Sequence, residues 1–164
     1  MRSFKDSEGR SWDINLNIAT LKRVKNADID HGRGVDLLNL DTAEKNESPL
    51  VTRLAMDIAL LCDVIYVCIQ PQAVKREIND EQFGEALGGE VIVKARTAFF
   101  EELADFFQSV GRKELVRAIK MQEILIASVI EKADQKLDGM NLDKMVDDVV
   151  QKTFGGQFTN TLES

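Results

Sequence analysis

Residues 4–24 read FKDSEGRSWDINLNIATLKRV, and this stretch decides how the rest of the chain is interpreted. Asp6 and Gly9 occupy the first and fourth places of DSEG, the residues preferred there in a type I turn. A three-residue loop, Ser7-Glu8-Gly9, with Gly9 left-handed, pairs Asp6 with Arg10. Phe4 then falls opposite Trp12 and Arg2 opposite Ile14. In that register Phe4, Trp12, Ile14 and Leu16 share one face, and Lys5, Asp13 and Asn15 the other. A two-residue loop would set Phe4 against Asp13 and spoil the face. Because an isolated hairpin is not stable in water, this one must lie apolar side down on helices.

Those helices follow in the sequence. Asn17 caps a short one from Ile18 to about Lys25, with Ile18, Leu21 and Val24 inward. NADIDHGRG is loop, and GVDLLNL is a short helical or extended piece that returns to the core. DTAEKNES reads as a solvated connection, and Ser48-Pro49 as a helix start with serine as cap. The next helix, Pro49 to about Gln70, is apolar around most of its circumference, as expected of a central element. QPQAVKREI supplies one further helical turn or two, and NDEQFGEALGG a capped short helix closed by glycines. A helix from about Glu90 to Val110 carries Ile92, Phe99, Leu103 and Phe106 beside Val93, Phe100, Ala104 and Phe107, with Glu101, Glu102 and Asp105 outside that arc. After Gly111 a long helix to about Leu137 presents Leu115, Ile119, Ile126, Val129, Ile130, Ala133 and Leu137.

DGMN breaks the chain, and Asn141 caps a last helix. In it Leu142, Met145, Val146, Val149, Val150 and Phe154 recur at helical spacing, while Asp143, Asp147, Asp148 and Lys152 face away. This helix either docks in cis or lies in a groove of another chain, and its six apolar residues are the candidate partner-binding set. GGQFTNTLES reads as a mobile tail. The expected fold is mainly α, an N-terminal β-hairpin (2–17) packed on a bundle of about five or six helices. Residues 1–137 form the body, and 138–164 a C-terminal amphipathic helix and tail.

Composition narrows the function. Among 164 residues, 21 basic and 28 acidic side chains give a net charge of -7, which disfavours nucleic acid and anionic membrane surfaces as partners. The start, MRSFKDSEGR, has no apolar run of a cleavable signal, and the uncharged stretch Val64 to Val74 is too short to span a bilayer, so a cytoplasmic protein is expected. Cys62 and Cys68, six residues apart on one helix, point about 120° from each other and read as two buried free thiols. His31 is the single histidine, and no metal-ligand spacing is present. GEALGGE follows no strand and lacks phosphate-loop spacing. Asp57 and Asp63 interrupt the central helix without a histidine or metal partner in sequence. No catalytic, cofactor-binding or metal residues are assigned, and an enzyme is not expected. The phenylalanine-rich 90–110 helix reads as core, with partner binding as the alternative.

Taken together, SFKDSEGRSWDINLNIATLKRVKN, GVDLLNL, LLCDVIYVCIQPQ and DEQFGEALGGEVIVKARTAFFEELADFF resemble a group of phage and prophage tail assembly chaperones. The similarity covers roughly residues 3–137. The resemblance implies a helper in the bacterial host cytoplasm that coats the helical tape-measure protein and delivers tail-tube subunits to it. Its partners would be the tape-measure and tail-tube proteins, with self-association also in view. In many such systems a ribosomal frameshift makes a longer form. The competing expectation is a structural virion component, a connector or tail protein. A small hydrolase would require Asp57, Asp63 and His31 to converge.

Overall fold

A computed structural model describes the backbone of residues 1–139 and 142–162, and the side chains of 1–139 and 143–153. Strands β1 (Arg2–Lys5) and β2 (Ser11–Ile14) pair antiparallel, with Arg2 opposite Ile14 and Phe4 opposite Trp12. The turn closes through Gly9 N–H to the Asp6 carbonyl at 3.0 Å, and Gly9 has φ 78, the left-handed conformation glycine adopts without strain. Phe4, Trp12, Ile14 and Leu16 are buried, as the register requires. Asp6 does more than open the turn. Its side chain is fully buried and accepts from Glu8 N–H (3.0 Å), Arg10 N–H (2.9 Å), Arg10 Nε (2.7 Å) and Trp12 Nε1 (2.8 Å).

Seven α-helices follow among the described residues, with a single 3-10 turn at Leu37–Asn39. Helix α1 (Ile18–Asn26) starts at Asn17, whose side chain accepts from Thr20 N–H. Thr20, Leu21 and Val24 are its buried residues, and Ile18 is exposed rather than inward. A residue in the first turn, beside the cap, lies at the end of the packed face and escapes cover.

The expected central helix is two helices. Pro49 itself occupies the cap position of α2 (Leu50–Met56), one residue later than expected for the cap. Asp57 then leaves helical geometry and caps α3 (Ile58–Lys75), accepting from Leu60 N–H at 3.0 Å. Aspartate offers the backbone this local alternative, and the chain bends there. QPQAVK belongs to the end of α3, so the turn expected as separate is a continuation. Pro71 lies inside α3 and cannot donate to the Val67 carbonyl; Arg23 Nη1 donates to it instead at 3.1 Å. With 18 residues, α3 is long and apolar enough by composition to cross a membrane, in contrast to the shorter uncharged run; eight of its residues are buried in the body.

Strand β1 lies on α5 (Glu90–Ser109), tied by Arg2 to Asp105 at 2.8 Å, and β2 lies on α3. The outer edge of β2 is occupied by side chains from the end of α3 and the residue that follows it. Gln72 accepts from Asp13 N–H at 3.0 Å and donates to the Asp13 carbonyl at 2.6 Å, while Arg76 donates to the Ser11 carbonyl at 2.8 Å. The 4.5 Å approach of the Arg76 guanidinium to the Trp12 ring adds a cation–π contact. Helix α4 (Asp80–Glu85) opens with a capping box between Asn79 and Gln82. Its buried Phe83 meets Phe4, Trp12 and Tyr66 ring to ring.

In α5, Phe99, Phe100, Leu103 and Phe107 are buried and Phe106 is half-buried, which is the core arrangement. Glu102 is also buried, contrary to its expected place on the polar side. It accepts Leu16 N–H on Oε1 at 3.1 Å, and the Met1 ammonium lies 2.8 Å from Oε2. Lying next to Leu103, Glu102 falls where the hairpin covers the helix. The chain forms two compact units, Met1–Ile124 and Leu125–Ser164, with the boundary inside α6 (Lys113–Asp138). Helix α7 (Leu142–Leu162) runs through Gly155 and Gly156, so the expected mobile tail is helical as far as Leu162. Each glycine costs a helix about 1 kcal/mol relative to alanine, a penalty that weakens a helix without forbidding it.

Candidate interaction surface

The chemical candidates are dispersed. Asp57 lines a shallow hollow with Ser48, Thr52, Met56 and Ile58. Asp63 lines a different one of about 510 Å³, with Arg23, Asp28, Tyr66 and Asp80. His31 lines neither; its side chain is 90% exposed, in a loop where it takes φ 53. Burial, then the neighbouring Asp80 and Asp57 charges, raise the Asp63 carboxyl above its ordinary value. The Tyr66 hydroxyl, raised by burial and then by Asp80, donates to the Ile78 carbonyl at 3.1 Å. A third hollow is edged by Arg33 and Arg53, but both guanidiniums are engaged: Arg53 with Asp30 at 2.7 Å and Arg33 with Glu44 at 3.5 Å. Among the described residues, no group of three or more His, Cys, Asp or Glu is placed to hold a metal ion. Cys68 is buried and Cys62 half-buried, the latter less covered than the sequence implied.

The apolar surface is the more distinctive feature. Helix α6 begins as a core helix: Leu115, Val116, Ile119 and Gln122 are buried, and Gln122 accepts from the Thr52 hydroxyl at 2.9 Å. Past Gln122 the same stripe continues uncovered. Val129 is 60%, Ile130 50% and Leu137 62% exposed, Ala133 is exposed, and Ile126 is half-buried. The spacing in the sequence puts these residues on one apolar face, and the structure leaves most of that face uncovered. The periodicity carries on beyond the end of the layer that covers it.

Helix α7 repeats the pattern. Met145 is 44%, Val146 60%, Val149 61% and Val150 46% exposed. Four of the six residues proposed from sequence therefore form one open apolar face, flanked by Asp143 and Asp147. The side chains of Leu142 and Phe154 lie outside the described residues. Apolar rows of this length are uncommon on monomers and mark interaction sites. The α6 portion was missed from sequence, because helical spacing reports that a face is apolar and not what lies against it.

No protein-family model matches the chain, and no significant match exists among curated proteins or solved structures.

Proposed function

We propose that this chain is a tail assembly chaperone of the phage or prophage kind, acting by protein–protein contact and making or breaking no covalent bond. In this reading α7 receives the long amphipathic helix of a tape-measure protein and keeps it soluble until tail-tube subunits assemble around it. The resemblance of residues 3–137 to that group supports the assignment. The observation that carries it is the open row Met145, Val146, Val149 and Val150, an exposed apolar face at helical spacing of the kind that packs against a partner helix. A bare tape measure would aggregate through its apolar stripe, and a host chain with net charge -7 keeps the complex in solution.

The test is co-expression of the full chain with the tape-measure product of the same genome, scored for solubility and co-purification. The expected result is a soluble complex that is lost when the chain ends at Leu137, while the truncated body keeps its melting temperature. Equal co-purification by the truncated chain, or none by the full chain, would overturn the assignment. Recovery of the protein in stoichiometric amount from intact particles would replace it with a virion component.

A further inference from the structure

The uncovered half of α6 has an asymmetry that identifies what covers it. At about 100° per residue, Ile126, Val129, Ile130, Ala133 and Leu137 form a single stripe. Asp134 and Asp138 run along one margin of that stripe, with Glu131 just outside them. Lys132 and Lys136 run along the other. All five charged side chains are exposed. One margin is therefore acidic and the other basic over the last two turns of the stripe.

We infer that this stripe is the pairing surface for a second copy of the chain, the two α6 segments lying parallel and in register. Two-fold symmetry makes the choice of direction. In a parallel pair, the acidic margin of each helix faces the lysine margin of its mate; in an antiparallel pair, acid faces acid and lysine faces lysine. Opposite charges along the stripe thus reward the parallel arrangement and penalise the alternative. A second copy supplies an apolar stripe of equal length together with the complementary margin. Ile126 and Ile130, with Ala133 between them and Leu137, give knobs of the sort that two-stranded helical seams use.

Size sets the strength. Five apolar residues per copy make a small contact, at the low end of specific interfaces. The helix enters the contact already formed, because its first half is packed on the body through Leu115, Val116 and Ile119. This inference stands apart from the chaperone assignment, which rests on α7.

Sedimentation equilibrium of the full chain, from about 1 to 200 µM, tests it. A monomer–dimer equilibrium is expected, weakened at least tenfold by Ile130→Glu with no change in melting temperature. Orientation is read from Leu137→Cys, which in a parallel pair sits opposite itself and cross-links under mild oxidation. The wild-type chain is the blank, since burial pushes the Cys62 and Cys68 thiols up to about 11 and about 12. A monomer at every concentration overturns the inference, as does a dimer indifferent to Ile130→Glu. A dimer in which Leu137→Cys fails to cross-link overturns the parallel arrangement.

Discussion

Replacing Asp6 by alanine removes one side chain and strands several donors. The carboxylate receives two backbone N–H groups, the Arg10 guanidinium and the indole of a fully buried Trp12. Glu8 N–H and the Arg10 guanidinium can turn to water. The Trp12 Nε1–H is enclosed and the Arg10 N–H partly so, and each unsatisfied buried donor costs about 1–3 kcal/mol. The expected loss is about 3–4 kcal/mol, a fall in melting temperature of about 12–15 °C for a body of this size. Asp6→Asn retains one oxygen for the backbone but turns an amide N–H₂ toward the Trp12 and Arg10 donors, so about 2 kcal/mol is expected. Glu8→Ala, in the same loop, is the control and changes nothing measurable. Protonation extends the test. Burial alone would raise the Asp6 carboxyl, but hydrogen bonds from Trp12 and Arg10, with the Arg10 charge, hold it below its ordinary 3.8. A lowered folded value means the stabilisation is complete above pH 3.8 and is lost as pH falls through the folded value. The stability gap between wild type and Asp6→Asn is thus flat from pH 8 to about 5 and narrows in stronger acid. Thermal unfolding followed by circular dichroism reads both effects. An Asp6→Ala variant melting within about 2 °C of wild type would refute the buried-acceptor argument.

Two further outcomes follow from backbone contacts. A Cβ at Gly34 would lie 1.7 Å from the Lys25 carbonyl oxygen, so Gly34→Ala must displace the segment that returns from α1 to the core. A loss of about 2–4 kcal/mol is expected, read as a lower urea midpoint at unchanged slope. Arg23→Met keeps the aliphatic stem but leaves the Val67 carbonyl, already deprived of a partner by Pro71, without its donor. It should cost about 1–2 kcal/mol, and restoring the missing N–H with Pro71→Ala should recover part of it in a double-mutant cycle.

The hairpin was legible because two local constraints agree. Only a three-residue loop keeps Phe4 with Trp12 on one face, and Gly9 fits the left-handed position that loop requires. The caps at Asn17 and Asn79 were legible for the same reason, since a short polar side chain precedes a periodic run. The break at Asp57 was not legible, because apolar residues continue on both sides and periodicity alone reads through a bend. Burial of Glu102 depends on Leu16, far away in sequence, so no local pattern signals it. The apolar faces of α7 and α6 were both read from their spacing, but only that of α7 was singled out as a surface for a partner. Both are the same signal, and only the surrounding layer distinguishes them.

The clasp of Gln72 and Arg76 on β2 has a bearing on how this protein meets others. Every sheet with a bare rim can recruit a strand from a neighbour, whether wanted or not. Here the rim at Ser11 and Asp13 is filled by side chains that imitate a third strand, and nothing extended can add there. Association along β2 is closed off, because the amides a foreign strand would need there are already taken.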